Sequence, residues 1–169
     1  MNDSKYGYDI HDGVMRLTLI KSATFPDPNA DQGVQEITYA LYPHAGTFVT
    51  AHVHEMAERL NSPCRVIQKM DQEKDGERII ETGGYWVEGN HVWFDTLKPL
   101  EDESCGVVIR LYEFGGIRGT VRIHLPHQWK FYRPILLTEE ADGDERPIPS
   151  KGIELTTEPY VIYSFALRA

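Results

Sequence analysis

Gly106-Val107-Val108-Ile109-Arg110-Leu111-Tyr112-Glu113 and Gly119-Thr120-Val121-Arg122-Ile123-His124-Leu125 flank the segment Phe114-Gly115-Gly116-Ile117-Arg118. Both runs are rich in β-branched and aromatic residues and short enough for strands. The glycine-rich segment between them precedes no helix, so it lacks the context of a phosphate-cradling loop and is expected to be a hairpin connection. Similar runs lie on either side: Val14 to Ile20, Gln35 to Leu41, Arg65 to Met70, Tyr85 to Val87, Val92 to Phe94 and Tyr160 to Leu167. In the first two, apolar and polar residues alternate, the period of a half-buried strand. Turn signals separate the runs at Asp12-Gly13, Asp75-Gly76, Gly83-Gly84, Gly89-Asn90 and Asp142-Gly143. Many short strands with frequent turns predict an all-β, antiparallel β-sandwich.

One helix interrupts this pattern, near residues 51–61. Val53, Met56, Ala57 and Leu60 recur at helical spacing, Thr50 is the expected N-cap, and Pro63 ends the run. Residues 139–150 are polar and proline-rich and read as an exposed loop within the sandwich. A single domain over residues 1–169 is expected.

The formal charge of −9 argues against nucleic-acid binding and against attraction to an anionic membrane surface. No apolar run approaches the ~18 residues of a spanning helix. The polar N-terminus has no signal-peptide pattern, so a cytoplasmic location is expected. Two cysteines, Cys64 and Cys105, do not make a disulfide framework and are expected to be reduced.

Candidate metal motifs are weak. Gly46-x5-His52-x-His54-x3-Glu58 resembles the first cupin motif, but residues two apart on a helix point in nearly opposite directions, and no second cupin motif follows. His124-Leu125-Pro126-His127 has no cysteine beside it, whereas closed zinc sites use four ligands. Asp142-Gly143-Asp144-Glu145 lacks the spacing of a calcium loop. No metal site is expected. With 26 acidic residues, spacing alone cannot select a catalytic carboxylate pair.

Two N-terminal segments are more specific. Asn2-Asp3-Ser4-Lys5-Tyr6-Gly7-Tyr8-Asp9 is followed by Lys21 to Gly33, whose core is Pro26-Asp27-Pro28-Asn29-Ala30-Asp31-Gln32-Gly33, and then by Tyr39-Ala40-Leu41-Tyr42-Pro43-His44. Pro fixes φ, Gly permits positive φ, and Asp bonds its own backbone, so the middle segment is a shaped loop. With Leu60-Asn61-x-Pro63, Leu97-Lys98-Pro99, Val108 to Glu113 and Glu158 to Phe165, these segments resemble, in order, the C-terminal β-sandwich region of glycoside hydrolase family 38, the α-mannosidases, most closely its bacterial and fungal branch. Ala23, Ser4 and Val34-Gln35 depart mildly from the family pattern.

The resemblance implies part of a galactose-mutarotase-like supersandwich, and a C-terminal fragment of a larger enzyme that hydrolyses terminal α-mannosidic bonds in glycans or oligosaccharides. It implies an N-terminal catalytic domain holding zinc, an Asp nucleophile and an Asp acid/base, none of which matches a segment here. By itself this chain is expected to hold no cofactor and to be inactive. Its implied partners are its own catalytic domain and a mannose-containing glycan. Loops of the sandwich approach the mannose site in the family, which makes Asp27, Pro28, Asp31, Gln32 and Gly33 one candidate substrate-binding set and Asn2, Asp3, Lys5, Tyr6, Gly7 and Tyr8 the other. His44 is expected to support the first loop. A face that met the parent would be apolar, so self-association as a homo-oligomer is also expected. A stand-alone carbohydrate-binding module is the alternative. It needs an exposed aromatic platform, for which Trp86, Trp93 and Trp129 are candidates, although strand alternation places most of them in the core.

Overall fold

The structure, a computed structural model, describes residues 1, 7–63, 84–101 and 105–169. The chain divides into two compact units, residues 1–70 and 71–169. The expected strand at Arg65 to Met70 and Cys64 lie outside the described residues.

In the second unit, β3 (Trp86–Glu88), β4 (Val92–Pro99), β5 (Gly106–Glu113), β6 (Gly119–His124), β7 (Phe131–Pro134), β8 (Arg146–Pro147), β9 (Ile153–Thr157) and β10 (Ile162–Arg168) form two antiparallel sheets. The five-stranded sheet runs β4-β5-β10-β7-β8 and the three-stranded sheet runs β3-β6-β9. Alternation along each strand sends one set of side chains inward. Val92, Ile109, Leu111, Phe165 and Leu167 from the larger sheet meet Val121, Ile123 and Ile153 from the smaller in one buried cluster. Trp129 packs against that cluster and donates its indole N–H to the Tyr85 hydroxyl at 2.7 Å.

The link between β5 and β6 is not a hairpin. β5 pairs with β4 and β10, whereas β6 pairs with β3 and β9, so residues 114–118 carry the chain from one sheet to the other. The apolar pattern of both strands is as expected, but each finds its neighbours elsewhere. The region 139–150 is also more structured than expected: it contains β8, and the Glu139 side chain is largely buried.

A bulge in β4 sets a second feature. Phe94 faces Leu111, yet Thr96 faces Arg110, so one extra residue is inserted between them. That residue changes which side chains share a face. Lys98 therefore stands opposite Val108, on the outer face with Arg110. The bend at residues 136–142 lays Glu139 over this face, with Lys98 as its ion-pair partner and Arg110 Nη2 3.7 Å away. Leu100, Val108, Ile135 and Ala166 form a small apolar cluster on the same face.

In the first unit, β1 (Tyr8–His11) and β2 (Val14–Leu17) form a hairpin around Asp12 and Gly13, both at positive φ. Helix α1 spans Val53–Asn61. Thr50 does not cap it. Thr50 instead bonds back to Thr47, its hydroxyl accepting from the Thr47 N–H at 3.0 Å, and His52 occupies the N-cap at φ 53° without a side-chain cap bond. The expected strand at Gln35 to Leu41 does not form a run. Ala40 exchanges backbone bonds with Met1, and the rest of the segment stays irregular. Its alternating sequence suits a strand, but a strand also needs a paired neighbour.

Candidate functional site

The proline- and aspartate-rich loop holds its own shape. The Asp27 carboxylate accepts the Asn29 N–H at 2.9 Å, an Asx-type turn, and Ala30 N–H donates to the Asp27 carbonyl. The Gln32 amide donates to Asn29 Oδ1 at 3.3 Å, and the Gln35 amide to the Asp31 carbonyl at 3.3 Å. Asp31 and Gly33 sit at φ 58° and 114°, and the Phe25–Pro26 peptide is cis. The carboxylates of Asp27 and Asp31 remain in solvent, able to accept hydroxyl protons.

Tyr8 is placed differently. Together with Met15, Leu17, Tyr39, Leu41 and Val53 it lines an apolar groove of about 670 Å³. His44 lies in the same groove with its ring 5.9 Å from that of Tyr42, and does not brace the Asp31 loop as expected. The residues of the Asp27–Gly33 loop do not line the groove. Asn2, Asp3, Lys5 and Tyr6 lie outside the described residues. Of that second set only Gly7 and Tyr8 are described, and Tyr8 lines the groove while the Asp27–Gly33 loop does not.

The two most constrained acids were invisible to spacing arguments. Glu113 is buried at the end of β5. Its carboxylate accepts four backbone N–H groups: Gly115 at 2.8 Å, Gly116 at 3.0 Å, Ile117 at 3.0 Å and Tyr160 at 2.8 Å. Burial pushes its pKa up, but the backbone bonds from Tyr160, Ile117, Gly115 and Gly116 together outweigh this and hold it below the ordinary glutamate range. A carboxylate whose lone pairs all face backbone donors is a structural acceptor and a poor proton shuttle. Glu139 is likewise held low, chiefly by its bond from Lys98 against the opposing effect of burial. His91, also buried, bonds Thr157 Oγ1 at 3.1 Å. The Thr157 hydroxyl donates to the Gly119 carbonyl, so the His91 Nε2–H is the donor to Thr157.

No group of three or more His, Cys, Asp or Glu among the described residues is arranged to hold a metal ion. His52 pairs loosely with Glu55 at 3.7 Å, and His124 serves Glu88. Cys105 is a free, exposed thiol.

Residues 1–29 match the glycosyl hydrolases family 38 C-terminal domain, and residues 91–165 match the glycosyl hydrolases family 38 C-terminal beta sandwich domain. The chain belongs to family 38 as a C-terminal region. Individual alpha-mannosidases are similar to it as well. Human alpha-mannosidase 2C1 is 29% identical across 99% of this chain, and an alpha-mannosidase of Saccharomyces cerevisiae is 28% identical across 99%. Alpha-mannosidase G of Dictyostelium discoideum is 33% identical across 69%. These relatives are much longer: the matched regions are 16%, 17% and 11% of their lengths. No solved structure matches the chain significantly. The two family 38 matches fall on either side of the break between the compact units, and the second covers most of the two-sheet sandwich.

Proposed function

We propose that this chain is the C-terminal part of an α-mannosidase, a glycoside hydrolase acting on terminal α-mannosidic bonds of glycans or oligosaccharides. The catalytic carboxylates and zinc implied by the resemblance belong to the part of the enzyme outside these 169 residues. The role of this region is to pack on that catalytic part and to contribute to the wall of its sugar site. The observation that carries this reading is the state of residues 1–70. Their described family-matching segments fold around an open apolar groove, with Met15 at 61% exposure and Leu41 at 81%. Side chains of this kind in contiguous contact with water mark an interaction surface.

Of the two candidate sets, Asp27, Asp31 and Gln32 have the geometry for contacting sugar. Their loop is preshaped by its internal bonds and keeps its carboxylates exposed. Tyr8 belongs with the groove and so with the packing surface. Full-length enzyme and this chain, compared on an aryl α-mannoside with zinc quantified in both, test the reading: activity and zinc are expected only in the full-length enzyme. Activity in the chain alone overturns it. Asp31→Ala in the full-length enzyme is expected to lower kcat/KM about ten- to hundred-fold, the worth of a charged hydrogen bond, without unfolding it.

A further inference from the structure

The outer face of the three-stranded sheet carries a feature that the proposed function does not use. Trp86 on β3 is 49% exposed, and its indole lies flat on the His124 imidazole across the strand pair, with ring centroids 3.8 Å apart and planes at 4°. Register makes this stack a directly facing cross-strand pair. Glu88 fixes the imidazole through a 3.2 Å bond to Nε2. The indole is thus held in one orientation before any ligand arrives. Among the described residues β3 is an edge strand of its sheet, and no described strand pairs with it on the side away from His124.

Two residues further along the strands, about 7 Å on the same face, the polar groups are concentrated. Glu88, Arg122 and Glu154 form a row across β3, β6 and β9, and Thr120 and Thr156 form the next. Arg122 bridges the acids, 3.9 Å from Glu88 and 3.3 Å from Glu154. Glu88, Thr120, Arg122 and Glu154 line a shallow hollow of about 170 Å³.

We propose that this face is a carbohydrate-binding surface, separate from the Asp27–Gly33 loop, that takes a neutral pyranose chain. A pyranose presents an apolar C–H face and a rim of hydroxyls, and each needs a different partner. The rigid indole offers a flat apolar platform with a polar tip. The row beside it offers carboxylate acceptors and a guanidinium donor to the hydroxyls of the same or the next sugar unit. Charge selects against other ligands with flat rings. Two carboxylates against one guanidinium, on a chain of net charge −9, repel nucleic acids and other polyanions. The surface tethers a polymeric substrate and performs no chemistry, so it neither requires nor alters bond hydrolysis.

Affinity electrophoresis of the full-length protein through gels with and without soluble mannan tests the proposal. The unsubstituted protein is expected to be retarded. Trp86→Ala is expected to raise the apparent Kd about ten-fold, the loss of one aromatic contact, and Trp86→Phe to retain part of the retardation. Glu154→Gln, at an exposed position of β9, and Arg122→Met, at a half-buried position of β6, are expected to weaken it several-fold by removing a charged partner. Turnover of a small aryl α-mannoside is expected to be unchanged in all four. Retardation of Trp86→Ala equal to that of the unsubstituted protein overturns the proposal, as does equal retardation of both the Glu154→Gln and Arg122→Met variants. Absence of aryl mannoside turnover in the unsubstituted protein would count against the mannosidase reading only, because the mannan shift is scored without hydrolysis.

Discussion

Residues 1–70 and 71–169 are built by opposite rules. Among the described residues, the second unit buries twelve apolar side chains in its two clusters, and the first buries Val49 alone. The first unit nonetheless has ample apolar material: Ile10, Met15, Phe25, Val34 and Leu41 are each more than half exposed. It has shape without a core. Its hairpin, its Asx turn and its Thr47–Thr50 turn are all local, and local bonds do not offset the conformational entropy of an ordered chain. The contrast teaches that family-specific sequence and self-sufficient packing are separate properties. The most distinctive motifs of the chain lie in the unit least able to stabilise itself.

The largest expected effect comes from deleting a core side chain in the second unit. Ile109→Ala should cost about 2–5 kcal/mol in chemical denaturation, because the site is fully enclosed. Leu41→Ala in the first unit should change the stability of this chain by less than about 0.5 kcal/mol. In the full-length enzyme the same Leu41→Ala substitution should become destabilising if the groove is a packing surface. Equal responses in the two settings would erase the distinction between the units.

Next in size is Glu113→Gln, expected to cost about 2–4 kcal/mol. The amide keeps one acceptor oxygen and turns an NH2 group towards backbone N–H donors. A thermal or denaturant midpoint within error of the unsubstituted chain would show that the four bonds contribute little.

The pH dependence should belong to the second unit. Glu113 and Glu139 both have pKa values below the ordinary 4.5 when folded. The folded state therefore holds fewer protons than the unfolded one, and the stabilisation is present above about pH 4.5 and is lost as pH falls through the folded values. Unfolding free energy followed from pH 7 to 3 should decline below about pH 5, and Glu113→Gln should flatten that decline. An unaltered slope in the variant would assign the acid sensitivity to other groups.

The smallest effect is at Asp27→Ala. Loss of the exposed Asx bond should cost about 0.5–1 kcal/mol at most and loosen only its own loop, read as faster amide exchange at Asn29.

Much of the sandwich was legible because alternation reports burial directly. β5, β6 and β10 appear close to where periodicity puts them, since their inward residues are the core itself. β9, Ile153-Glu154-Leu155-Thr156-Thr157, was not among the expected strands, although it alternates through Leu155. β7 and β8 were not, because Pro134 and Pro147 demote short runs. Pairing was the harder matter: a glycine-rich link looks alike whether it folds a strand back or moves it to the other sheet. In the candidate site, the turn at Asp27 was foreseeable from local chemistry. The flat stack of Trp86 on His124 was not, because it depends on the register that sets β3 against β6, two strands far apart in the sequence.

Glu113 has a bearing on how this domain tolerates change. It stands where β5 leaves for the other sheet, and its fourth donor, Tyr160, lies where the chain returns from β9 to β10. One side chain thus fastens two crossings that are 47 residues apart. Lengthening either connection by a single residue would pull a donor off the carboxylate. The bend at residues 142–145 carries no such tie to Glu113. Insertions and fusion points should therefore accumulate at that bend, beside Pro134 on the edge of the larger sheet, and be excluded from 114–118 and 158–161, giving the sandwich two crossings fixed in length and one edge that is free to grow.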